Sequence, residues 1–515
     1  MAQHDDQWLW FDEEVEDTPL EYNDTVSEDS TAAASAEVVE AVQLHLSGKS
    51  DQALLVLQGA IELGHNLAEV YPSLGQIYFE LGRYTDAAAM YSNLVVLSPK
   101  HNTGFYNLAV SLARAGKHER AAASFSEDLA INPERFASHL GFAVSLLRSG
   151  DAEGALDQFM SCLASQPDND QALFGKASSL HKLERVREAA DTYRRIVDRH
   201  PGDADAMSNL IGLSLHLQDY ASAREYSEKL LRLRPNSRAA LQGLVSTLLA
   251  SGEFGQAALR GAQLVRAVPE SFQCHFNLAL ALQRAGKVDD AIRSYNEAIR
   301  LCPDSEKAHL NLGVALHERG SLHEAERAYR RALELNSDLP AARWNLALLA
   351  EQRGDAEKAM LHLNEVVSRQ PDCYEAWLKL GYWRLEKGNL QGASEAFQAC
   401  VKSGTKVPEA QFNLAHCLWR QGNTREAQSE LEEVHKQRPT STEVLRALTV
   451  LTAERGDLDK AAGYQPKLLA LGNKSAEVHF NLGVAFQAAG RNREAVRSYE
   501  HSIQFRAEFP EAYLN

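Results

Sequence analysis

The feature that most constrains what this chain can fold into is a period. Stepping by 34 residues in either direction from Asn311 keeps register from residue 34 to residue 509 without an insertion. A period of this length marks an array of small units, none able to bury its apolar face alone, whose stability is a sum of repeat and neighbour terms. The chain's 515 residues also exceed the ~250 to 300 at which a single hydrophobic core stops growing. The segment AHLNLGVALHERGSLHEAERAYRRALELN shows the unit: two apolar faces at helical spacing on either side of Gly320. The spacing therefore predicts a helical hairpin in every repeat and an all-α chain.

With Asn311 counted as position 6, repeat 1 begins at residue 34, repeat 9 at 306 and repeat 14 at 476. Position 20 is Ala in all fourteen full repeats, from Ala53 to Ala495, where a larger side chain would force two crossing helices apart at ~1 to 3 kcal/mol. Position 7 is Leu in eleven repeats, and position 24 is commonly Tyr or Phe, as in Tyr91, Phe125, Tyr193, Tyr295 and Tyr499. Position 15 is Gly in twelve repeats, the stop of a first helix. Position 32 is Pro from Pro99 to Pro303 and again at Pro371 and Pro439, just past a second helix. At these signature positions, over residues 34 to 509, the chain resembles the tetratricopeptide repeat family. The resemblance implies a right-handed superhelical solenoid of about fourteen hairpins, with first helices lining a concave groove. Pro510 opens a fifteenth unit that stops at Asn515, its position 6, so a chain truncated in that repeat is expected, with residues 510 to 515 its start.

The groove positions implied by the family are 2, 5, 6, 9, 12 and 13. Position 6 carries Asn107, Asn209, Asn277, Asn311, Asn345, Asn413, Asn481 and Asn515, with gaps at Lys379 and Ala447. An amide donates and accepts, so such a column can bond the backbone of an extended peptide whatever its sequence. Each bond is worth roughly 0.5 to 1.5 kcal/mol net. The adjacent position 5 is an apolar strip including Tyr106, Phe174, Phe276, Trp344, Phe412 and Phe480, which either packs between first helices or meets ligand. Tyr382 at position 9 and Trp419 at position 12 add aromatic surface, which makes repeats 8 to 12 the expected binding stretch. The expected function is a scaffold for protein or peptide partners. Family members that grip a C-terminal carboxylate use Lys at position 5 and Asn at position 9; no repeat here has either. The asparagine row is similar to that of O-GlcNAc transferase repeats, which implies as an alternative a substrate-recruiting arm of a glycosyltransferase whose catalytic domain lies beyond residue 515.

Catalytic signals are weak. Gly48-Lys49-Ser50 lacks the glycine a phosphate loop needs five positions earlier, where Gln43 stands. His317-Glu318 and His323-Glu324 straddle the Gly320 turn and do not form the i, i+4 pair of zinc peptidases. The six cysteines show no metal-ligand spacing, and Cys162 and Cys400 fall at position 27, a small core site. No enzyme activity and no cofactor are expected. No apolar run approaches the ~18 residues of a membrane span, and the N-terminus lacks the basic and apolar segments of a secretory leader. A cytoplasmic chain without membrane insertion is the expectation.

The net charge of -17 is concentrated in residues 1 to 33, which hold eleven Asp or Glu and no Lys or Arg. The remaining array is nearly neutral, so it offers no phosphate-neutralising face and nucleic acid is not an expected partner. Residues 1 to 33 are expected to be a disordered acidic tail, yet they carry Trp8, Trp10 and Phe11. At position 13 of repeats 3 to 6 stand Arg114, Arg148, Lys182 and His216, a basic row that the tail could meet by folding back. Repeats 6, 7 and 13 break the size rule at position 8 with Ile211, Val245 and Thr449, repeats 7 and 13 replace the position-24 aromatic with Gly261 and Gln465, and looser joints are expected there.

Overall fold

A computed structural model describes residues 35–404, 407–472 and 474–515. Among them are fourteen helical hairpins and a short helix, Pro510–Leu514, that opens a fifteenth, with no strand. In repeat 9, for example, the hairpin is Glu306–Glu318 and Leu322–Leu335. None of these helices is long and apolar enough to cross a membrane. The described chain divides into two compact units, one ending at Ala281 and the other Leu282–Asn515. The disordered tail expected for residues 1 to 33 lies outside the described residues.

The turn of every hairpin uses one device. All fourteen position-15 residues have positive φ, including the two that are not glycine, Glu184 at 57° and Gln218 at 58°. At each of these two the amide returns to the carbonyl three residues back, and the next amide reaches one turn deeper, as in Glu184 N–H to His181 and Arg185 N–H to Leu180. This pattern satisfies the last carbonyls of the first helix.

Position 20 is buried in every repeat. Thirteen of its alanines are fully buried and Ala495 is 3 % exposed. Around it, positions 8 and 24 exchange volume. A Cβ built on Gly75, Gly313, Gly381 or Gly483 at position 8 would strike the ring of Tyr91, Tyr329, Phe397 or Tyr499 at position 24 of the same repeat, at 2.4 to 2.9 Å. In repeats 6 and 7 the exchange is reversed: Ile211 and Val245 are buried at position 8, and position 24 is Ser227 and Gly261. Repeat 13 pairs Thr449 with Gln465 in the same sense. A Cβ on Gly243 would come within 2.2 Å of Ser227 Oγ and 2.6 Å of an Ile211 methyl. At these joints the bulk has moved from one helix to its partner.

Neighbouring repeats are tied at the ends of their helices. The position-4 side chain donates to the position-32 carbonyl of the preceding repeat in five places: His139 to Pro133, His275 to Pro269, His309 to Pro303, Trp377 to Pro371 and Arg343 to Ser337, at 2.8 to 3.0 Å. The proline that ends one second helix thereby orients the next first helix. A different tie joins repeats 3 and 4. Asp128, at the position-27 core site, is fully buried; its carboxylate accepts from Arg135 at 2.8 Å, Asn132 at 3.3 Å and Ser138 Oγ at 2.5 Å. Ser138 occupies position 3, where most repeats carry Ala, so the polar core residue and its donor occur together across the repeat boundary.

Candidate functional site

The position-6 row is not uniform. In the first unit it is interrupted by Gly141, Gly175 and Gly243 as well as by non-amide side chains in repeats 1 and 2. A Cβ at Gly141 would sit 2.4 Å from Phe125, and at Gly175 2.1 Å from Phe159. At these two positions the slot is filled by the position-24 ring of the preceding repeat. Asn107 and Asn209 are buried, at 4 % and 6 % exposure, so their amides are not displayed as an open ladder would require. Asn277, in the same unit, is half-buried and its Oδ1 accepts from Gln273 at 2.8 Å.

The second unit carries a more open row. Asn311 and Asn345 are half-buried, Asn481 is exposed, and none of the three amides has a hydrogen bond to another described residue. Lys379 fills the gap in repeat 11 and pairs with Glu351 of repeat 10 at 2.7 Å. Asn413 donates to the Glu409 carbonyl at 2.9 Å and to Tyr382 Oη at 3.0 Å. Tyr382 in turn donates to the Glu409 carboxylate, and its ring stands edge-on to Phe397 at 5.6 Å. Burial first, and then that carboxylate, push the Tyr382 phenol up to about 12, so it remains a neutral donor. Tyr382, Asn413 and Glu409 thus form a small polar cluster across repeats 11 and 12, with Tyr382 37 % exposed.

Position 5 does more packing than display. Tyr106 is buried edge-on to Phe125, and Phe174 stands edge-on to Tyr193. Phe276 stacks on Phe272 at 5.6 Å. Trp344 and Phe412 are half-buried against the cores around Leu380 and Leu431 respectively. Tyr106 is closed off from solvent, while the other four position-5 rings are half-buried.

Positions 12 and 13 have a role that periodicity alone did not disclose. Position 12 of one repeat bonds position 13 of the next in His45–Glu80, Gln283–Glu318, His317–Gln352 and Trp419–Glu454, at 2.7 to 3.0 Å. Trp419, an expected ligand contact, spends its indole N–H in this tie. Lys182 of the basic row likewise donates to the Leu147 carbonyl at 3.1 Å. Arg114 is half-buried, Arg148 exposed. Nearby, burial and the Arg148 charge hold the His118 imidazole below its usual range. The partner expected for this row, residues 1 to 33, lies outside the described residues. The signal for these ties was present in the sequence as polar residues 35 apart, a spacing one longer than the period.

All six cysteines are free thiols and four are buried. Burial pushes Cys162 up to about 12 and Cys400 up to about 11, which removes their nucleophilic form at neutral pH. Among the described residues no group of three His, Cys, Asp or Glu side chains is placed to hold a metal ion.

The geometry and the comparisons agree on the repeat. Two family profiles described as "Tetratricopeptide repeat" match, one at residues 73–135, 140–204, 179–238, 243–306 and 276–340, the other at 316–380 and 384–451. No curated protein matches. Among solved structures, "MamA RS-1 ArsTM double mutant" is 20 % identical, with a TM-score of 0.32, over 33 % of this chain and 96 % of that one. "Structure of Naa15/Naa10 bound to HypK-THB" is 15 % identical, with a TM-score of 0.36, over 93 % and 78 %. "Crystal structure of APC/C hetero-tetramer Cut9-Hcn1" is 13 % identical, with a TM-score of 0.29, over 89 % and 97 %. On the family matches, which span well over half of its length, the chain belongs to the tetratricopeptide repeat family.

Proposed function

We propose that the chain is a protein-interaction scaffold and that the first helices of repeats 9 to 12 hold extended polypeptide segments of its partners. The observation that carries this reading is the pair Asn311 and Asn345, half-buried amides with no hydrogen bond to another described residue. Unspent amides at the same position of successive repeats suit the alternating N–H and C=O groups of a peptide backbone. Trp344, Phe412 and Tyr382 stand beside the row and supply rigid apolar surface at little entropic cost. The amides give affinity without sequence readout, and the aromatic edges bias it toward segments with apolar residues.

The test is the double substitution Asn311→Ala and Asn345→Ala, titrated by fluorescence anisotropy with a labelled, permanently unfolded polypeptide. Loss of two peptide bonds at roughly 0.5 to 1.5 kcal/mol each predicts a weakening of about fivefold or more, with helicity unchanged. A change below about threefold would refute the row as a peptide ladder.

A further inference from the structure

The first unit holds a cleft of about 1100 Å³ that belongs to a different surface. Its walls are the second helices of repeats 6 and 7, Tyr220–Leu233 and Phe254–Ala267, and its floor includes Leu244 and Leu248 of the helix Arg238–Ala250. It coincides with the two repeats whose position-24 residue is Ser227 or Gly261 instead of a ring. Four arginines line it against two glutamates. Arg224 is spent on both of these, Glu253 at 2.5 Å and Glu228 at 3.2 Å. Arg232, Arg260 and Arg266 have no carboxylate partner among the described residues; Arg260 bonds only the Gln263 amide at 3.0 Å. In a chain of net charge -17, three arginines without counter-charges converge on one cleft with an apolar floor.

We infer that this cleft is a second docking site, for an acidic peptide segment of a partner protein with an apolar side chain among its carboxylates. Guanidinium groups bind carboxylates through paired N–H donors and are weakly hydrated, so they suit a partly enclosed wall. Leu231, half-buried on the first wall, offers contact to one apolar side chain, and the floor leucines are buried core residues with 4 % exposure each. Nucleic acid is not the occupant, since binding it by phosphate neutralisation needs a continuous basic track, and Glu228 and Glu253 interrupt this one. The site does not depend on the asparagine row, which lies on first helices.

The probe is a short fluorescein-labelled peptide of Glu interspersed with Leu, titrated into the full chain at low and moderate salt, with its Gln counterpart as comparison. The acidic peptide should bind, more weakly as salt rises, and the Gln peptide should not. The variant Arg232→Glu with Arg266→Glu changes two exposed side chains and should weaken binding about tenfold or more at unchanged helicity; the milder Arg232→Gln with Arg266→Gln should weaken it about threefold. The control Arg187→Glu with Arg195→Glu alters two exposed arginines on the neighbouring second helix Val186–Arg199, carries the same charge change and should leave affinity in place. Equal binding of the Gln peptide, an equal loss in the control, or no loss in the cleft variants each overturns the proposal.

Discussion

Converting Glu184 and Gln218 to glycine should stabilise the repeats around them. Both residues hold φ near 57° at the hairpin turn, a region that costs a residue with a Cβ roughly 1 to 2 kcal/mol. At Gly116 and Gly150 in the preceding repeats, a Cβ would meet nothing within 4 Å, so the penalty at this position is one of backbone conformation and not of contact. Glycine gives back about 0.5 to 1 kcal/mol through the greater freedom of the unfolded chain. The net gain is then about 0.5 to 1 kcal/mol for each site. Because repeats couple only to neighbours, the gain is local, and native-state amide exchange reads it better than a single melting temperature. Amides of the hairpins Asp170–Lys182 with Val186–Arg199 and Ala204–His216 with Tyr220–Leu233 should exchange about two- to fivefold more slowly in Glu184→Gly and Gln218→Gly. The reverse change, Gly150→Ala, should speed exchange in repeat 4 by a comparable or larger factor. If the two glycine variants exchange no more slowly, or if Gly150→Ala has no effect, the account of the turn is wrong.

Three further outcomes are expected. Asp128→Ala removes one side of a buried ion pair and should cost about 3 kcal/mol in repeats 3 and 4, whereas Asp128→Leu with Ser138→Ala should recover much of that loss; guanidinium unfolding followed by circular dichroism distinguishes them. His479 is 1 % exposed, accepts from the Gln465 amide and faces His501 and Phe505; burial first, then His501, lower it to about 4. With a folded value below the unfolded one near 6.5, its contribution is present above pH 6.5 and is lost as pH falls toward 4, by at most about 3 kcal/mol. Protection factors in repeat 14, which remove the intrinsic pH dependence of amide exchange, should fall over that window and should not do so in His479→Gln. Finally, we propose that residues 1 to 33 compete for the Arg114, Arg148 and Lys182 row; deleting them should tighten binding of a groove partner at low salt, with the gain shrinking as salt rises, and unchanged affinity at both salts would end that proposal.

The period made the hairpins legible because it is written in residues with one steric meaning each, Ala at position 20 and Gly at position 15. The exceptions were harder. Ile211 and Val245 read as defects until Ser227 and Gly261 are seen across from them, since compensation of volume is a relation between two helices and has no signature in either alone. Glu184 and Gln218 carry no glycine signal, yet both hold φ near 57° because the amide bonds of the turn fix the backbone there. For the candidate site, the asparagine row was visible but its exposure was not. Whether a position-6 amide meets solvent depends on where the preceding ring lies, as Phe125 over Gly141 shows. The position 12 to 13 bonds were hidden by a spacing of 35 rather than 34.

The ties between repeats also decide which pieces of this chain are interchangeable. Repeats 9 and 11 settle their own exceptions internally, Gly313 under Tyr329 and Gly381 under Phe397. In these units the exchange of core volume closes within one period, although repeat 11 still shares Lys379 with Glu351 of repeat 10 and Tyr382 with Asn413 of repeat 12. Repeats 3 to 5 are different, because Asp128 needs Ser138, Phe125 needs Gly141 and Phe159 needs Gly175. Their smallest exchangeable piece is the block of three, so recombination within it would strand a buried carboxylate or drive a ring into a side chain. The array is therefore modular in some stretches and indivisible in others, and its history of growth by repeat copying should be recorded in the places where a cut is harmless.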